Sequence, residues 1–93
     1  MNKIKIIKHE AVRLINSTNG KIFKVTFRKA NGQFRKMVCR TGVHKGVKGI
    51  GLKFRPTDYG LIPVFDMENG FRFINTKELI NLTIDKVHYL IRR

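Results

Sequence analysis

From Lys21 onward, apolar residues recur at every second position, and this change of period limits the fold more than any other feature. Phe23, Val25 and Phe27 alternate with Lys24, Thr26 and Arg28. Such alternation describes a strand with one dry face and one wet face. Asn31-Gly32 follows, and this pair is the strongest short hairpin signal because both residues accept positive φ. The return strand is expected over residues 33–40. Two sets compete for its dry face, Met37 with Cys39 or Phe34 with Val38.

Upstream, the period is helical. Ile4, Ile7, Ala11, Leu14 and Ile15 recur at three- and four-residue spacing, which predicts an amphipathic helix over about residues 4–17. Asn19-Gly20 supplies its stop, and Lys3, Lys5, Lys8 and Arg13 lie off the apolar stripe. Downstream, the glycines of residues 42–60 break any regular pattern. Leu61–Asp66 reads as a strand whose Pro63 must sit at an edge or a bulge, because it cannot donate to a ladder. Glu68-Asn69-Gly70 turns the chain into a return strand over Phe71–Asn75. Thr76–Leu79 is a single helical turn with Thr76 as its expected cap. Ile80, Leu82 and Ile84 alternate as a further strand, and Val87–Ile91 either extends it or forms another.

One helix and five short strands make a single mainly-β domain over residues 1–93, with the helix and its connection in 1–20 and a barrel in 21–93. Five strands are too few for a sandwich, and a small bent barrel is the natural closed solution. Two short hairpins separated by a long loop, then a helical turn and a last strand, fit an SH3-like barrel better than an OB-fold.

The hairpin has a further likeness. Thr26-Phe27, Lys29, Gly32, Arg35, Met37 and Cys39, followed by Val64-Phe65-Asp66 and Ile74-Asn75, resemble the pattern of small SH3-like β-barrel proteins of tailed bacteriophages. The resemblance spans about residues 21–84. It implies a barrel and a viral origin, hence the host cytoplasm as location. That family is described by fold alone, so no functional residue is carried over.

Charge narrows the function. Residues 1–55 hold 15 Lys or Arg against one acid, Glu10, whereas residues 56–93 hold five of each. The formal net charge of +14 therefore comes wholly from the first part. Charge of one sign concentrated in this way points to a polyanionic partner, nucleic acid first. The hairpin contributes Lys24, Arg28, Lys29, Arg35 and Lys36. Residues outward on paired strands share one side, so several of these cations are expected together, and like charges directly opposite would be relieved by an external anion. Arg40, Lys45, Lys48, Lys53 and Arg55 flank or interrupt the glycine-rich stretch, whose backbone N–H groups are free to approach phosphates. These ten residues are the candidate phosphate contacts. The competing reading of the hairpin is an edge guarded by lysine against aggregation; that of the loop is a solvated connection. A partner of another class, an acidic host protein, would use the same cations for electrostatic steering.

Aromatic rings bear on the kind of nucleic acid, since single strands stack on exposed rings. Phe23, Phe27, Phe65 and one of Phe71 and Phe73 are expected in the core. Phe34, Phe54 and Tyr59 lie near turns or the glycine-rich stretch, where packing at a barrel end is favoured over exposure.

Other chemistries find little support. His9, His44, His88 and Cys39 lack metal-ligand spacing, so no metal or other cofactor is expected. The single cysteine excludes an intramolecular disulfide and is expected to be a small core residue. Gly46–Gly51 has neither a Gly-Lys-Ser/Thr element nor dinucleotide-fingerprint order. Asp66 and Glu68 sit at a turn, and no triad or carboxylate pair can be assembled, so an enzyme is not expected. Charges interrupt the apolar residues of the first ten positions, so no signal peptide is expected, and no run reaches the length of a membrane span.

Overall fold

The alternation from Phe23 to Arg28 builds the central strand of a single sheet. The computed structural model describes residues 3–42 and 60–92. In chain order these form β1 (Ile4–Ile7), α1 (Lys8–Asn16), β2 (Phe23–Arg28), β3 (Phe34–Arg40), β4 (Leu61–Asp66), β5 (Gly70–Asn75), a one-turn helix (Thr76–Glu78), β6 (Leu79–Ile84) and β7 (Val87–Arg92). The strands lie in the order β1-β7-β6-β2-β3-β4-β5. Among the described residues the protein is therefore mainly β with one α-helix, and the sheet has seven strands rather than the expected five. Among the described residues, no ladder joins the edge strands β1 and β5 to close a barrel. Of the stretch expected to be irregular, residues 43–59 lie outside the described residues.

The two extra strands come from the chain ends. The expected helix over 4–17 begins only at Lys8, and Ile4–Ile7 instead pairs in parallel with β7, Ile4 opposite Tyr89 and Ile7 opposite Arg92. β-Branched residues favour an extended backbone, and β7 presents an edge for them to pair with. Alternation sets Ile6, which is buried, on the opposite face from Ile7, which is 48% exposed; Ile4 shares the face of Ile6 but sits at the strand end and is also 48% exposed. Within α1, Ala11 and Ile15 are fully buried, as the apolar stripe requires. The chain leaves α1 through Asn19 and Gly20, with φ of 51° and 86°, as the stop signal predicts.

The β2–β3 hairpin forms where expected, with Phe23 opposite Cys39 and Arg28 opposite Phe34. Its turn differs from the Asn-Gly expectation. Only Gly32 has positive φ, at 89°. The Gly32 N–H donates to the Lys29 carbonyl (2.9 Å) and the Lys29 N–H to the Gln33 carbonyl (2.7 Å). This is a type I turn followed by a left-handed glycine, the usual longer hairpin loop. Asn31 serves through its side chain, whose Oδ1 accepts from the Gln33 N–H at 3.0 Å.

Val87–Arg92 is a separate strand because Asp85 and Lys86, with φ of 49° and 66°, turn the chain between Ile84 and Val87. Two successive left-handed residues make a type I′ turn, in which the second position favours glycine. Lys86→Gly should raise the unfolding free energy by about 0.5–1 kcal/mol, because relief of native strain outweighs the added freedom of the unfolded chain. Urea titration checks this, and a loss of stability would contradict the left-handed assignment.

A bulge shapes the other side of β2. Thr26 pairs with Asn81 and Phe27 with Leu79, leaving Ile80 unopposed. The shift turns both Leu79 and Leu82 inward, where plain alternation predicts Ile80 and Leu82. Bulges bend and twist a sheet, and β5 accordingly comes close to β2. One core results, joining Phe23, Val25, Phe27, Leu82 and Ile74 with Ala11 and Ile15 of α1. Each large side chain buried there contributes about 1.5–3 kcal/mol. Met37 and Cys39 take the dry face of β3, leaving Phe34 and Val38 outside at 63% and 39% exposure.

Pro63 lies beyond the short β3–β4 ladder, which joins only Cys39 to Asp66 and Arg40 to Phe65. Among the described residues Pro63 has a ladder partner on the β5 side alone, Phe73. The one-turn helix is capped by Asn75, whose Oδ1 accepts from the Lys77 N–H at 3.2 Å, and not by Thr76. Thr76 is buried instead, and its hydroxyl and N–H both donate to the Gly60 carbonyl, at 2.6 and 2.8 Å.

Candidate nucleic-acid interface

Strand register sorts the hairpin cations by face. Phe23, Val25 and Phe27 point into the core, so Lys24, Thr26 and Arg28 point outward. Their partners Val38, Lys36 and Phe34 share that outer face. Lys24, Arg28 and Lys36 therefore stand together, and Arg40, opposite Phe65, continues the same face. Each of these cations is paired across the ladder with an uncharged residue. The expected repulsion between directly opposed like charges is thus absent from this hairpin, and the charges are staggered.

Arg35 does not join them. It pairs with Phe27 and lies on the core side, where its Nη2 is 3.5 Å from Asp66 Oδ2. Lys29 sits in the turn and is half-buried, not on the strand face. Lys45, Lys48, Lys53 and Arg55 lie outside the described residues, as do His44, Phe54 and Tyr59.

Asp66 fixes the turn beside this face. Only 3% of the residue is exposed. Its Oδ1 accepts from the Glu68 N–H at 2.9 Å, and its Oδ2 from Asn69 Nδ2 at 3.1 Å. Burial alone would push the carboxyl's pKa up. The hydrogen bonds from Glu68, Asn69 and Arg35 prevail and hold it below the usual carboxylate value. On the other side of the carboxylate is Cys39. Burial, and then the Asp66 charge, push this thiol up to about 12, so it is protonated and unreactive near neutral pH.

The outer face is concave. Over β6, β2 and β3 lies a hollow of about 420 Å³ whose lining includes Lys24, Lys36, Thr26, Val38, Asn81 and Thr83, with Asp66 at the end of β4 and Glu68 and Asn69 of the following turn along one side. Thr83 Oγ1 lies 3.0 Å from Nδ1 of His88 on β7. At the hairpin tip, the guanidinium of Arg28 stands over the Phe34 ring, 5.4 Å from its centroid. Farther along the same face, Phe65 meets Phe71 edge-on, with centroids 5.2 Å apart. Phe65 is half-buried on this face rather than in the core, and Phe73 is 37% exposed.

Lys24 and Arg28 were readable as face-sharing cations from their spacing along β2; Lys36 joined them only once the dry face of β3 was known. The exposed Phe34, its stacking with Arg28, and the polar floor of Thr26, Asn81 and Thr83 were not readable from spacing. Only the cross-strand register places Asn81 and Thr83 next to Lys24 and Lys36.

Among the described residues there is no group of three or more His, Cys, Asp or Glu able to hold a metal ion. No described helix is long and apolar enough to cross a membrane. Comparison with known proteins yields no matching family model, no matching curated protein and no matching solved structure.

Proposed function

We propose that the protein is a non-enzymatic nucleic-acid-binding domain that holds phosphates along the outer face of its β2–β3 hairpin and reads little sequence. The observation that carries this is the outward cluster of Lys24, Arg28 and Lys36, none of which has a carboxylate partner among the described residues. The overall charge of +14 supplies the long-range attraction. Phosphate contacts position a protein, whereas base contacts specify sequence. The hairpin presents point charges, and its one exposed ring, Phe34, is suited to stacking on any base. Lys45, Lys48, Lys53 and Arg55 would extend the phosphate contacts.

The antiparallel run β6-β2-β3-β4-β5, bent at the Ile80 bulge, supports reading this part of the sheet as SH3-like. With the hairpin motifs, it favours kinship with tailed-phage barrel proteins acting in the host cytoplasm. If about six phosphates are neutralised, the slope of log K against log salt on duplex DNA should be about −5. Fluorescence anisotropy with single- and double-stranded DNA and RNA, between about 50 and 200 mM salt, measures it. Absence of binding at the lower salt would overturn the proposal. So would nuclease-resistant capture of an acidic protein in place of nucleic acid.

A further inference from the structure

A phosphate-binding face needs cations, yet this one also exposes a phenyl ring. Phe34 is 63% exposed, although its chemistry favours burial. It lies at the head of β3, two residues from Lys36 on the same face, or roughly 7 Å along the strand. Val38, 39% exposed, stands the same distance beyond Lys36, so apolar and cationic groups interleave along one line. Arg28 covers one side of the Phe34 ring, and the exposure of the residue leaves the other side to a ligand. A cation–π pair at an exposed site accounts for where Arg28 lies. It gives no reason for the ring itself to remain in water.

We propose that the ligand of this face is a single-stranded nucleic acid, with a base stacked on Phe34 against Arg28 and an adjacent phosphate held over the Lys24–Lys36 hollow. This rests on the nucleic-acid reading above and deepens it. Duplex bases are paired and stacked on one another, so a duplex offers the ring only its sugar–phosphate surface. Every base of a single strand has a free π-face, and stacking on an aromatic side chain tolerates any sequence. Thr26, Asn81 and Thr83 add uncharged hydrogen-bonding groups to the floor of the hollow. Hydroxyls and amides there suit a phosphate already neutralised by two lysines.

The chain contains no tryptophan, so Phe34→Trp introduces a single indole that reports on this position alone. Its emission should be quenched by oligo-dT or oligo-U and remain unchanged with a duplex of equal length. Quenching by either oligonucleotide supports the proposal, and the two together show whether the sugar matters. Phe34→Ala and Phe34→Leu should both weaken single-strand binding about 5- to 100-fold, the loss expected for one stacked base, and Phe34→Tyr should restore it. Duplex affinity should be nearly unchanged in all three. Single-strand affinity of Phe34→Ala within about two-fold of the parent, or indole emission unaffected at saturation, overturns the stacking inference. If salt-dependent binding persists in that case, the phosphate reading stands. Failure of every oligonucleotide to bind overturns both.

Discussion

Asp66→Ala is expected to lower the unfolding free energy by about 3 kcal/mol, which is the cost of leaving buried polar partners unsatisfied. The carboxylate is nearly inaccessible and binds three groups, the Glu68 N–H, the Asn69 amide and the Arg35 guanidinium. Removing it orphans the β4–β5 turn and leaves Arg35 on the core side of β3 without its acid. For a domain of this size the melting temperature should fall by more than about 10 °C. Asp66→Asn, which keeps the shape and loses the charge, should lie between the two. The pH dependence follows from the direction of the shift. Because the folded-state pKa is depressed, the stabilisation is complete above the unfolded value of about 3.9 and is lost as pH falls through the folded value. The parent should therefore lose an increment of stability in that acid range that Asp66→Ala lacks. Thermal melts at neutral pH and across that range measure both effects. An Asp66→Ala melting temperature within about 2 °C of the parent would contradict the role assigned to the turn.

Reversing two charges on the outer face should have the largest effect on binding. Lys24→Glu/Lys36→Glu removes two phosphate contacts and places two carboxylates at the hollow. Affinity for nucleic acid at low salt should fall by about two orders of magnitude, and the salt slope should shrink by about 2. The informative control is Lys8→Glu/Lys77→Glu. It makes the same change in net charge at two exposed lysines that share a different hollow, which no residue of the β2–β3 face lines. If binding depends on this face, the control loses much less. Equal losses would show that total charge acts, not its arrangement. Lys24 and Lys36 are exposed, so the double variant should fold, and circular dichroism verifies that before titration.

Local pattern made much of the scaffold legible. Alternation over Phe23–Arg28 and over Leu61–Asp66 appears as strands, and Asn19-Gly20 and Glu68-Asn69-Gly70 turn the chain where such residues are expected. What failed was pairing at a distance. Ile4 and Ile7 fit helical spacing while Ile4 and Ile6 fit strand alternation, and only the edge of β7 selects the strand. The Ile80 bulge leaves no mark in a run that alternates cleanly. Its effect on Leu79 exists only because β2 lies alongside. Asn75 and Thr76 are both good caps, and the choice falls to Asn75 because Thr76 is drawn to the Gly60 carbonyl.

The candidate site divides in the same way. Spacing along β2 placed Lys24 and Arg28 outward, but could not say which face of β3 was dry, and so could not place Arg35, Lys36 or Phe34. Burial of Met37 and Cys39 settled all three at once: Lys36 and Phe34 went out with Lys24, and Arg35 went in to Asp66. By itself the sequence determined a mainly-β chain with a basic first half and a hairpin bearing outward cations, because side-chain period and net charge are local or additive properties. Only the tertiary structure decided the seven-stranded order, the bulge and the meeting of Phe34, Arg28, Lys36 and Asn81 on one surface. Strand register is chosen by the partner strand and the shared core, and no single segment carries that information.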